Sequence, residues 1–420
     1  MQTRFSKKQL QNPKIAKAEK IIRNCVHCGF CLATCPTYVI EANELDSPRG
    51  RIYLIKEMLE NDRAATKIEA EHIDKCLSCL SCVTTCPSAV DYMHLVDDAR
   101  VHIEETYKRP FFEHILRRFL AFSMPRPLFF KGFLMAGNIA KPFASFLPRQ
   151  LEAMLELMPK ASKVKTKNLS PVQGKKQYRM GLHAGCVQRA VGEHINIATA
   201  EFLTRRGVEL VIPQHSGCCG ALSHHLGYEK DAMAMARAYI DSWKDDIDNL
   251  DAIVINTSGC GVSIKDYGTL LEDDPKYAAP ARRISALAKD ITEVIGEIGL
   301  GTVTLSEEIA VAYHPPCSLQ HGQKIINLPK QLLIEAGFLV CDIKESHLCC
   351  GSAGTYNITQ PQMATKLKNR KIANIEKTNA AMIASGNLGC IIQIASGTDM
   401  PVFHTIELLN WATGGKKPEI

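Results

Sequence analysis

Eight cysteines in the first quarter of the chain form two blocks with the same internal spacing. Each block reads C-x2-C-x2-C-x3-C-P, and the second repeats the first 51 positions later. Thiolates separated by two residues can surround one face of an iron–sulfur cubane. The spacing therefore predicts two [4Fe–4S] clusters, which transfer single electrons.

The fourth cysteine of each block is expected to bind the cluster of the other block, because it lies further along the chain and precedes a proline. One cluster would be held by Cys25, Cys28, Cys31 and Cys86. The other would be held by Cys76, Cys79, Cys82 and Cys35. Structural zinc is the alternative, but zinc knuckles pair two C-x2-C units across a longer insert.

The segment between the blocks contains a helix start. Ser47 is the expected N-cap, and Pro48 occupies the first helical position. Arg49 and Arg51 follow, and a positive charge beside a cluster can change its reduction potential. Helix initiation and cluster tuning are compatible interpretations of this segment.

The second half of the chain carries a duplicated cysteine pattern. The first set comprises Cys186, Cys218, Cys219 and Cys260, and its counterparts are Cys317, Cys349, Cys350 and Cys390. The offsets are 131 residues, or 130 for the last pair. His183 and His314 each lie three positions before the first cysteine of a set, and a glycine follows each Cys–Cys pair.

Three interpretations of these eight cysteines stay open. They could bind an additional iron–sulfur cluster in one or both repeats. They could act as redox-active thiols without metal, or serve only as small buried residues. His183 and His314 are candidate ligands or cluster neighbours, and a hydrogen-bonded core histidine is the alternative. Weaker histidine candidates are His215, His224, His225, His321 and His347.

Composition excludes several classes of protein. The chain of 420 residues is 46% hydrophobic and carries a net charge of +6, too small to suggest a nucleic-acid partner. The N-terminus has no apolar segment typical of a secretory signal, so disulfide formation after export is a poor explanation for 17 cysteines. We found no dinucleotide-binding or P-loop pattern, and expect neither a flavin nor a nicotinamide site on this chain.

Residues 108–179 differ from the rest of the chain. They hold fifteen Lys and Arg against three Glu, a local net charge of +12. Nine of the fourteen Phe residues lie between Phe111 and Phe146. Residues 108–149 fit a surface that contacts an anionic membrane or a partner, or helices that pack the N-terminal part onto the rest. Residues 159–176 are typical of a solvated linker.

Beyond this linker, strand and helix patterns alternate, which indicates parallel sheets built from βαβ units. The predicted strands are 178–184, 208–213, 252–256, 309–314, 338–343 and 380–384, with a final strand and helix within 402–411. Predicted helices cover 193–206, 228–243, 330–336 and 362–375. The cysteines of both sets follow strands, and ligands gather at the carboxyl ends of parallel strands.

The chain resembles the iron–sulfur electron-transfer subunits that share CCG domains with heterodisulfide reductase. The resemblance rests on CVHCGFCLATCPTY from Cys25, LDSPRGRIYLIKEML from Leu45, SGCCGA from Ser216, TSGCG from Thr257 and SHLCCGSAGTY from Ser346. Members serve dehydrogenases of glycolate, lactate and glycerol-3-phosphate, and the likeness is greatest to those that serve glycolate. Heterodisulfide reductase domains that bind a double cluster usually end in C-x2-C, whereas Thr257 and Asn387 occupy the corresponding positions here.

The resemblance implies a mixed α+β and α/β architecture in four segments. These are a helical two-cluster ferredoxin-like domain (1–107), a basic Phe-rich helical segment with linker (108–177), and two pseudo-repeated CCG lobes with parallel sheets (178–306 and 307–420). The implied function is electron transfer from flavin-containing partner subunits to a quinone or other membrane acceptor, during oxidation of glycolate to glyoxylate. The implied location is cytoplasmic, peripheral on the inner membrane.

Lactate and glycerol-3-phosphate dehydrogenases are the alternative complexes. A heterodisulfide-reductase-like thiol/disulfide catalyst is the alternative from another class, with the Cys–Cys pairs as its reacting groups.

Overall fold

The computed structural model describes residues 1–142, 155, 172, 174–213 and 216–419. Most of the predicted linker, as well as Phe143, Phe146 and the weak candidate His215, lies outside the described residues.

The N-terminal part is helical. Its helices are α1 (Pro13–Asn24), α2 (Pro36–Glu41), α3 (Pro48–Glu60), α4 (Lys67–Asp74), α5 (Ser81–Thr85) and α6 (Tyr92–Thr106), with 3₁₀ turns at Gln9–Gln11 and Glu44–Asp46. As predicted, Ser47 caps α3, accepting a hydrogen bond from the Gly50 N–H at 3.0 Å. Apolar side chains of the longer helices, including Ile22, Ile55 and Leu95, form one core with Cys25, Cys76 and Cys82.

Two further helices follow, α7 (Phe111–Ser123) and α8 (Pro127–Ala140). Phe119 and Phe133 pack edge to face between them, with ring centroids 5.2 Å apart. The buried Arg117 of α7 donates to the Leu226 carbonyl of the next domain at 3.0 Å. These helices therefore join the N-terminal part to the lobes.

The first lobe is a parallel sheet covered by helices. Its strands are β1 (Tyr178–His183), β2 (Val208–Val211), β3 (Ala252–Ile255) and β4 (Ala288–Asp290), in the order β2-β1-β3-β4. Its helices are α9 (Gln188–Val191), α10 (Glu193–Thr204), α11 (Ala221–His225), α12 (Glu229–Ser242), α13 (Ser258–Lys265), α14 (Tyr267–Leu270), α15 (Ala278–Leu287) and α16 (Ile291–Ile298), with a 3₁₀ turn at Ile247–Asn249.

The second lobe repeats this topology. Its strands are β5 (Ile309–Tyr313), β6 (Phe338–Asp342), β7 (Met382–Ser385) and β8 (Val402–His404), in the order β6-β5-β7-β8 and again parallel. Its helices are α17 (Leu328–Glu335), α18 (Tyr356–Thr359), α19 (Pro361–Glu376), α20 (Leu388–Ala395) and α21 (Thr405–Ala412), with a π turn at Ser318–Gly322. The predicted fold class, with two pseudo-repeated parallel lobes, is confirmed.

One strand was not predicted. β4 contains three residues with a lysine at its centre, so it has no apolar run that a pattern could detect. Its counterpart β8 is equally short, and both strands end in a residue that caps the next helix: Asp290 with Glu293, and His404 with Glu407. The predicted strand 380–384 begins two residues later, at Met382.

The two lobes share a core. Helices α10 and α21 pack together, where the buried Phe202 and Leu203 belong to the same apolar cluster as Leu408 and Leu409. At the edge of this contact, the Arg205 guanidinium donates to Asn410 Oδ1 at 2.7 Å. The carboxyl ends of both sheets are thereby held in a fixed relation to each other.

Candidate functional site

The two N-terminal cysteine loops have matching backbone conformations. His27 and Gly29 have φ angles of 57° and 85°, and their counterparts Ser78 and Leu80 have 47° and 61°. Left-handed residues let a short loop curve around one point and direct its N–H groups toward an anionic ligand. Leu80 adopts this conformation without being glycine, which is typical of backbone that is held in place at a functional site.

The fourth cysteine of each block lies beside the other block. Cys25, Cys28, Cys31 and Cys86 line one cleft, together with Cys82. Burial raises the pKa of the Cys82 thiol, and the neighbouring thiols Cys79, Cys76 and Cys35 raise it further. The geometry thus brings Cys86 to the first block and Cys35 to the second.

Two arginines of α3 contact these loops differently. Arg49 is paired with Glu44 and donates to the His27 carbonyl at 3.4 Å. Arg51 is 1% exposed, and its Nη1 lies 3.9 Å from Cys35 Sγ. Burial opposes the charge of Arg51, but Cys76, Tyr92 and Cys35 outweigh burial and raise its pKa. Each cysteine loop therefore has its own positive charge.

The four cysteines of the first lobe converge at the carboxyl end of its sheet. Cys186 Sγ and Cys218 Sγ lie 3.4 Å apart, and the ligand atoms of His183, Cys219 and Cys260 lie within 4.8 Å of one another. Gly220 has a φ of 83°, and its N–H donates to Cys218 Sγ at 3.4 Å. The glycine conformation allows two adjacent cysteines to face the same site.

The second lobe repeats this arrangement. Cys317 Sγ and Cys349 Sγ are 3.7 Å apart, and His314, Cys350 and Cys390 form the counterpart of the histidine group, again within 4.8 Å. The Gly351 N–H donates to Cys349 Sγ at 3.5 Å. The structure therefore brings together all the residues that the duplicated pattern singled out.

Two thiols of the second lobe, Cys349 and Cys390, have pKa values below the ordinary thiol value. The neighbouring Cys350, followed by His314 and Asn387, lowers the pKa of Cys390 to about 5 against the opposing effect of burial. In the first lobe, the hydrogen bond with Cys186 lowers the pKa of Cys218, but Cys219 and burial outweigh it and raise that pKa. Lys371 is 2% exposed in the second lobe, where burial lowers its pKa and the nearby Cys350 and Cys349 oppose that effect.

Both cysteine sets line one cavity. It has a volume of about 340 Å³ and lies between the lobes, the second cysteine loop and helices α7 and α8. All eight lobe cysteines contribute to its wall, as does Cys76. Phe130, Phe133 and Leu134 of α8 line it from the other side. A centre bound in either lobe would thus be close to the second cysteine loop.

The second N-terminal loop contacts the second lobe directly. Cys79 and Cys349 belong to one buried cluster with Leu77 and Tyr356. Burial is the largest effect that raises the pKa of Cys79, and the neighbouring Cys349 is the second largest. The Tyr356 hydroxyl donates to the Lys75 carbonyl at 3.0 Å. This contact joins the second predicted cluster to the lobe cysteines.

Comparison with known proteins identifies the domains that contain these cysteines. Residues 21–90 match the model of the 4Fe-4S dicluster domain, and residues 180–265 and 311–395 match that of the cysteine-rich domain CCG. The glycolate oxidase iron-sulfur subunit of Escherichia coli K12 is 41% identical over 98% of this chain and 99% of its own length.

The chain belongs to the family of glycolate oxidase iron–sulfur subunits.

A second family member, the probable glycolate oxidase iron-sulfur subunit of Bacillus subtilis 168, is 30% identical over 99% of this chain and 100% of its own length. The crystal structure of a hypothetical protein from Helicobacter pylori has the same fold, with a TM-score of 0.55 over 97% of this chain and 74% of its own. It is 8% identical in sequence. The resemblance predicted from the cysteine motifs is confirmed.

The donor set of the N-terminal loops fits two iron–sulfur clusters. None of the 17 cysteines forms a disulfide, and five of the eight in the two blocks are buried. The other three, Cys28, Cys31 and Cys86, lie in the first cleft. Convergent thiols, left-handed loops and nearby arginines are what an anionic cubane requires. Family membership and these features agree on an iron–sulfur protein.

Several contact residues had no recognisable signal in the sequence. The Tyr92 hydroxyl donates to Cys76 Sγ at 3.6 Å, and Arg100 donates to the Cys76 carbonyl at 2.7 Å. His224 and His225 lie beside the buried Asp97, whereas His321 bonds Thr84 at 2.8 Å across the domain contact.

Helices α7 and α8 expose an unusual number of large apolar side chains. Phe112 and Leu128 are 84% and 85% exposed, and Phe111, Phe129 and Ile139 are also mostly exposed. Among the described residues, no helix combines the length and apolar character needed to cross a bilayer.

Proposed function

We propose that this chain relays single electrons within a complex that oxidises glycolate to glyoxylate. The reaction removes two electrons and two protons from the CH–OH group, one hydrogen leaving the carbon and the other the hydroxyl oxygen, and a flavin on a partner subunit would accept the two electrons. The observation that carries the proposal is the pair of interlocked cysteine quartets in a chain 41% identical to a glycolate oxidase iron-sulfur subunit along nearly its whole length.

The positions of the thiols support a ligand set for each of the two clusters. Cys25, Cys28, Cys31 and Cys86 would hold one cluster, a set supported by their common cleft. Cys76, Cys79, Cys82 and Cys35 would hold the other, supported by the influence of Cys35 on Cys79 and Cys82. When bound, the clusters supply one-electron transfer, and the protein residues set their positions and surrounding charge.

The two cluster sites face different surroundings, which suggests the direction of the relay. At the first site Cys28 is exposed, and the adjacent Val26 and Phe30 are 66% and 64% exposed. At the second site Cys79 is buried against Cys349. We assign the first site to exchange with the flavin subunit and the second to exchange with the acceptor, beside the lobes.

Helices α7 and α8 are proposed to rest on the anionic surface of the inner membrane. Exposed Phe112 and Leu128 would enter the interfacial region, and the net charge of +12 over residues 108–179 would attract anionic lipid. The inner face of α8 lines the cavity beside the lobe cysteines. A quinone or another membrane acceptor would thus receive electrons close to these residues, on the cytoplasmic side.

The experiment is anaerobic reduction of the intact complex by its substrate. The chain is co-expressed with its flavin subunits, mixed with glycolate, and followed by EPR spectroscopy of the clusters. We expect reduction with glycolate and a much slower response to lactate and glycerol-3-phosphate. Cluster reduction by either of those substrates, with none by glycolate, would contradict the assignment.

A further inference from the structure

Each lobe contains a buried histidine whose ring lacks a conventional partner. His183 and His314 are both 1% exposed, and within the described part of the chain no ring nitrogen of either residue has a nitrogen or oxygen partner, the nearest polar group to His314 being the Cys390 thiol. Buried polar groups are nearly always paired, because leaving one unpaired is energetically costly. Two such rings, at equivalent positions of a repeat, call for a common explanation.

A third buried histidine provides a comparison. His404 is 0% exposed, but its Nδ1 accepts the Ile406 N–H at 3.1 Å and so caps helix α21. Its burial has a structural reason that His183 and His314 lack. His183 and His314 are instead surrounded by thiols, Cys219 and Cys260 in the first lobe and Cys350 and Cys390 in the second. In each lobe, a ring nitrogen and the two sulfurs lie within 4.8 Å of one another.

The first-lobe ring is also held in place. The rings of His183 and Tyr239 pack in a T-shaped arrangement, with centroids 5.3 Å apart and an angle of 72° between their planes. Tyr267 fixes the adjacent loop by donating to the Cys219 carbonyl at 2.7 Å. A ring positioned in this way beside four converging thiols has the chemistry of a metal ligand, since imidazole and thiolate both bind iron.

We propose that the ring of the buried histidine in each lobe is a ligand of the iron–sulfur centre that the four cysteines of its CCG domain would hold. The ligands would be His183, Cys186, Cys218, Cys219 and Cys260 in the first lobe, and His314, Cys317, Cys349, Cys350 and Cys390 in the second. The thiols release their protons on binding, and the imidazole donates a nitrogen lone pair. The histidine thereby adds a fifth ligand where Thr257 and Asn387 add no thiol.

The inference goes beyond the proposed function, which requires only the two N-terminal clusters. These clusters account for about eight irons per chain. We expect the anaerobically reconstituted full chain to bind about twelve or more, with matching sulfide. An iron count that stops at eight, or zinc bound in place of the additional iron, would overturn the inference while leaving reduction by glycolate intact.

Isotope labelling identifies the histidine directly. The full chain is prepared with ¹⁵N-histidine, and the lobe centres are poised in a paramagnetic state for pulsed EPR. We expect a strong coupling from a directly bonded histidine nitrogen. Its absence from wild-type protein that carries the additional iron would overturn the histidine assignment, and this readout does not depend on any variant folding.

Variants then show which histidines give rise to the strong nitrogen coupling. The double variant His183→Gln/His314→Gln should lose the strong coupling and some or all of the additional iron, while the signals of the two N-terminal clusters persist. His194→Gln is the matched control, because this histidine lies in the first lobe with a side chain 55% exposed. Persistence of the coupling in the double variant would contradict the proposal.

Discussion

Arg51 places its guanidinium Nη1 3.9 Å from the sulfur of Cys35, in a position that solvent scarcely reaches. The same side chain donates to the His72 carbonyl at 2.6 Å and to Thr37 Oγ1 at 3.1 Å. A buried cation beside a ligand sulfur favours the more negative, reduced form of a cluster. The arginine therefore joins helix α3 to the chemistry of the second cluster.

Replacing Arg51 by methionine should shift the reduction potential of the second cluster to more negative values. We also expect a loss of about 1–3 kcal/mol in stability, because the Thr37 and His72 oxygens lose their donor. Redox titration followed by EPR measures the first effect and denaturant unfolding the second. Arg51→Lys, which keeps the charge, should restore most of the potential.

The matched control is Arg49→Met, since Arg49 contacts the first cysteine loop through the His27 carbonyl. This variant should shift the first cluster and leave the second almost unchanged. Equal shifts of both clusters in both variants would show that the arginines have no local effect.

The interlocked ligand assignment predicts which serine variants resemble each other. Cys28→Ser and Cys86→Ser should disturb the same EPR signal, because both thiols line the first cleft. Cys79→Ser and Cys35→Ser should disturb the other signal. If Cys35→Ser instead matches Cys28→Ser, each cluster is held by a single block and the assignment is wrong.

A side chain at Gly351 should destabilise the fold. Its φ is 90°, and an added Cβ would lie 2.6 Å from the Ala364 carbonyl oxygen. Gly351→Ala should cost about 1–3 kcal/mol through backbone strain, with an additional effect from displacement of the Cys349–Cys350 pair. Chemical denaturation measures the loss. Gly217→Ala is the control, because a Cβ there meets nothing within 4 Å, and equal losses would contradict the explanation.

His94 links the N-terminal domain to the first lobe in a pH-dependent way. Its Nε2 lies 3.1 Å from Asp266 Oδ1, and its Nδ1 lies 2.6 Å from Asp91 Oδ2. Burial lowers the pKa of His94, but Asp266 and Asp91 outweigh burial and raise it from 6.5 to about 10. Because the pKa of His94 is higher in the folded protein than in the unfolded chain, the protonated ring stabilises the fold fully at pH values below the unfolded-state pKa. This stabilisation is lost as the pH rises through the pKa of the folded state.

The stability of wild type relative to His94→Gln should therefore be greatest below about pH 6.5 and should shrink toward pH 10. Urea unfolding of both proteins across this range measures the difference. A difference that grows with pH would have the wrong sign for a protonated histidine between two carboxylates.

Binding to lipid should depend on the exposed apolar residues of helices α7 and α8. Phe112→Asp/Leu128→Asp should weaken sedimentation of the chain with phosphatidylserine vesicles several-fold, because both apolar insertion and electrostatic attraction are reduced. Ile68→Asp is the control, since Ile68 is an exposed apolar residue of α4 (56% exposed) outside this segment. Wild-type protein that fails to bind these vesicles would contradict a membrane role for the two helices.

The sequence was sufficient where chemistry depends on local spacing. The 51-residue repeat of the cysteine blocks predicted a two-cluster domain, and the 131-residue repeat predicted two equivalent lobes, which the identical strand orders confirm. Short elements without an apolar run escaped prediction, as β4 shows.

Contacts between distant segments were also beyond the sequence. Nothing near Cys79 or Cys349 indicates that they share one buried cluster, since 270 positions separate them and domain packing alone brings them together. The same holds for the cavity that both lobe quartets share with α8. The unpaired rings of His183 and His314 became apparent only when the absence of a hydrogen-bond partner among the described residues could be seen.

The central claim is that the N-terminal thiols hold two electron-transferring clusters. Its most direct test is EPR spin quantification, with iron and zinc analysis, of the anaerobically purified chain after reduction with dithionite. The account predicts two mutually interacting cluster spins per chain and at least about eight irons. Zinc in place of iron, or a preparation without a cluster signal, would contradict it.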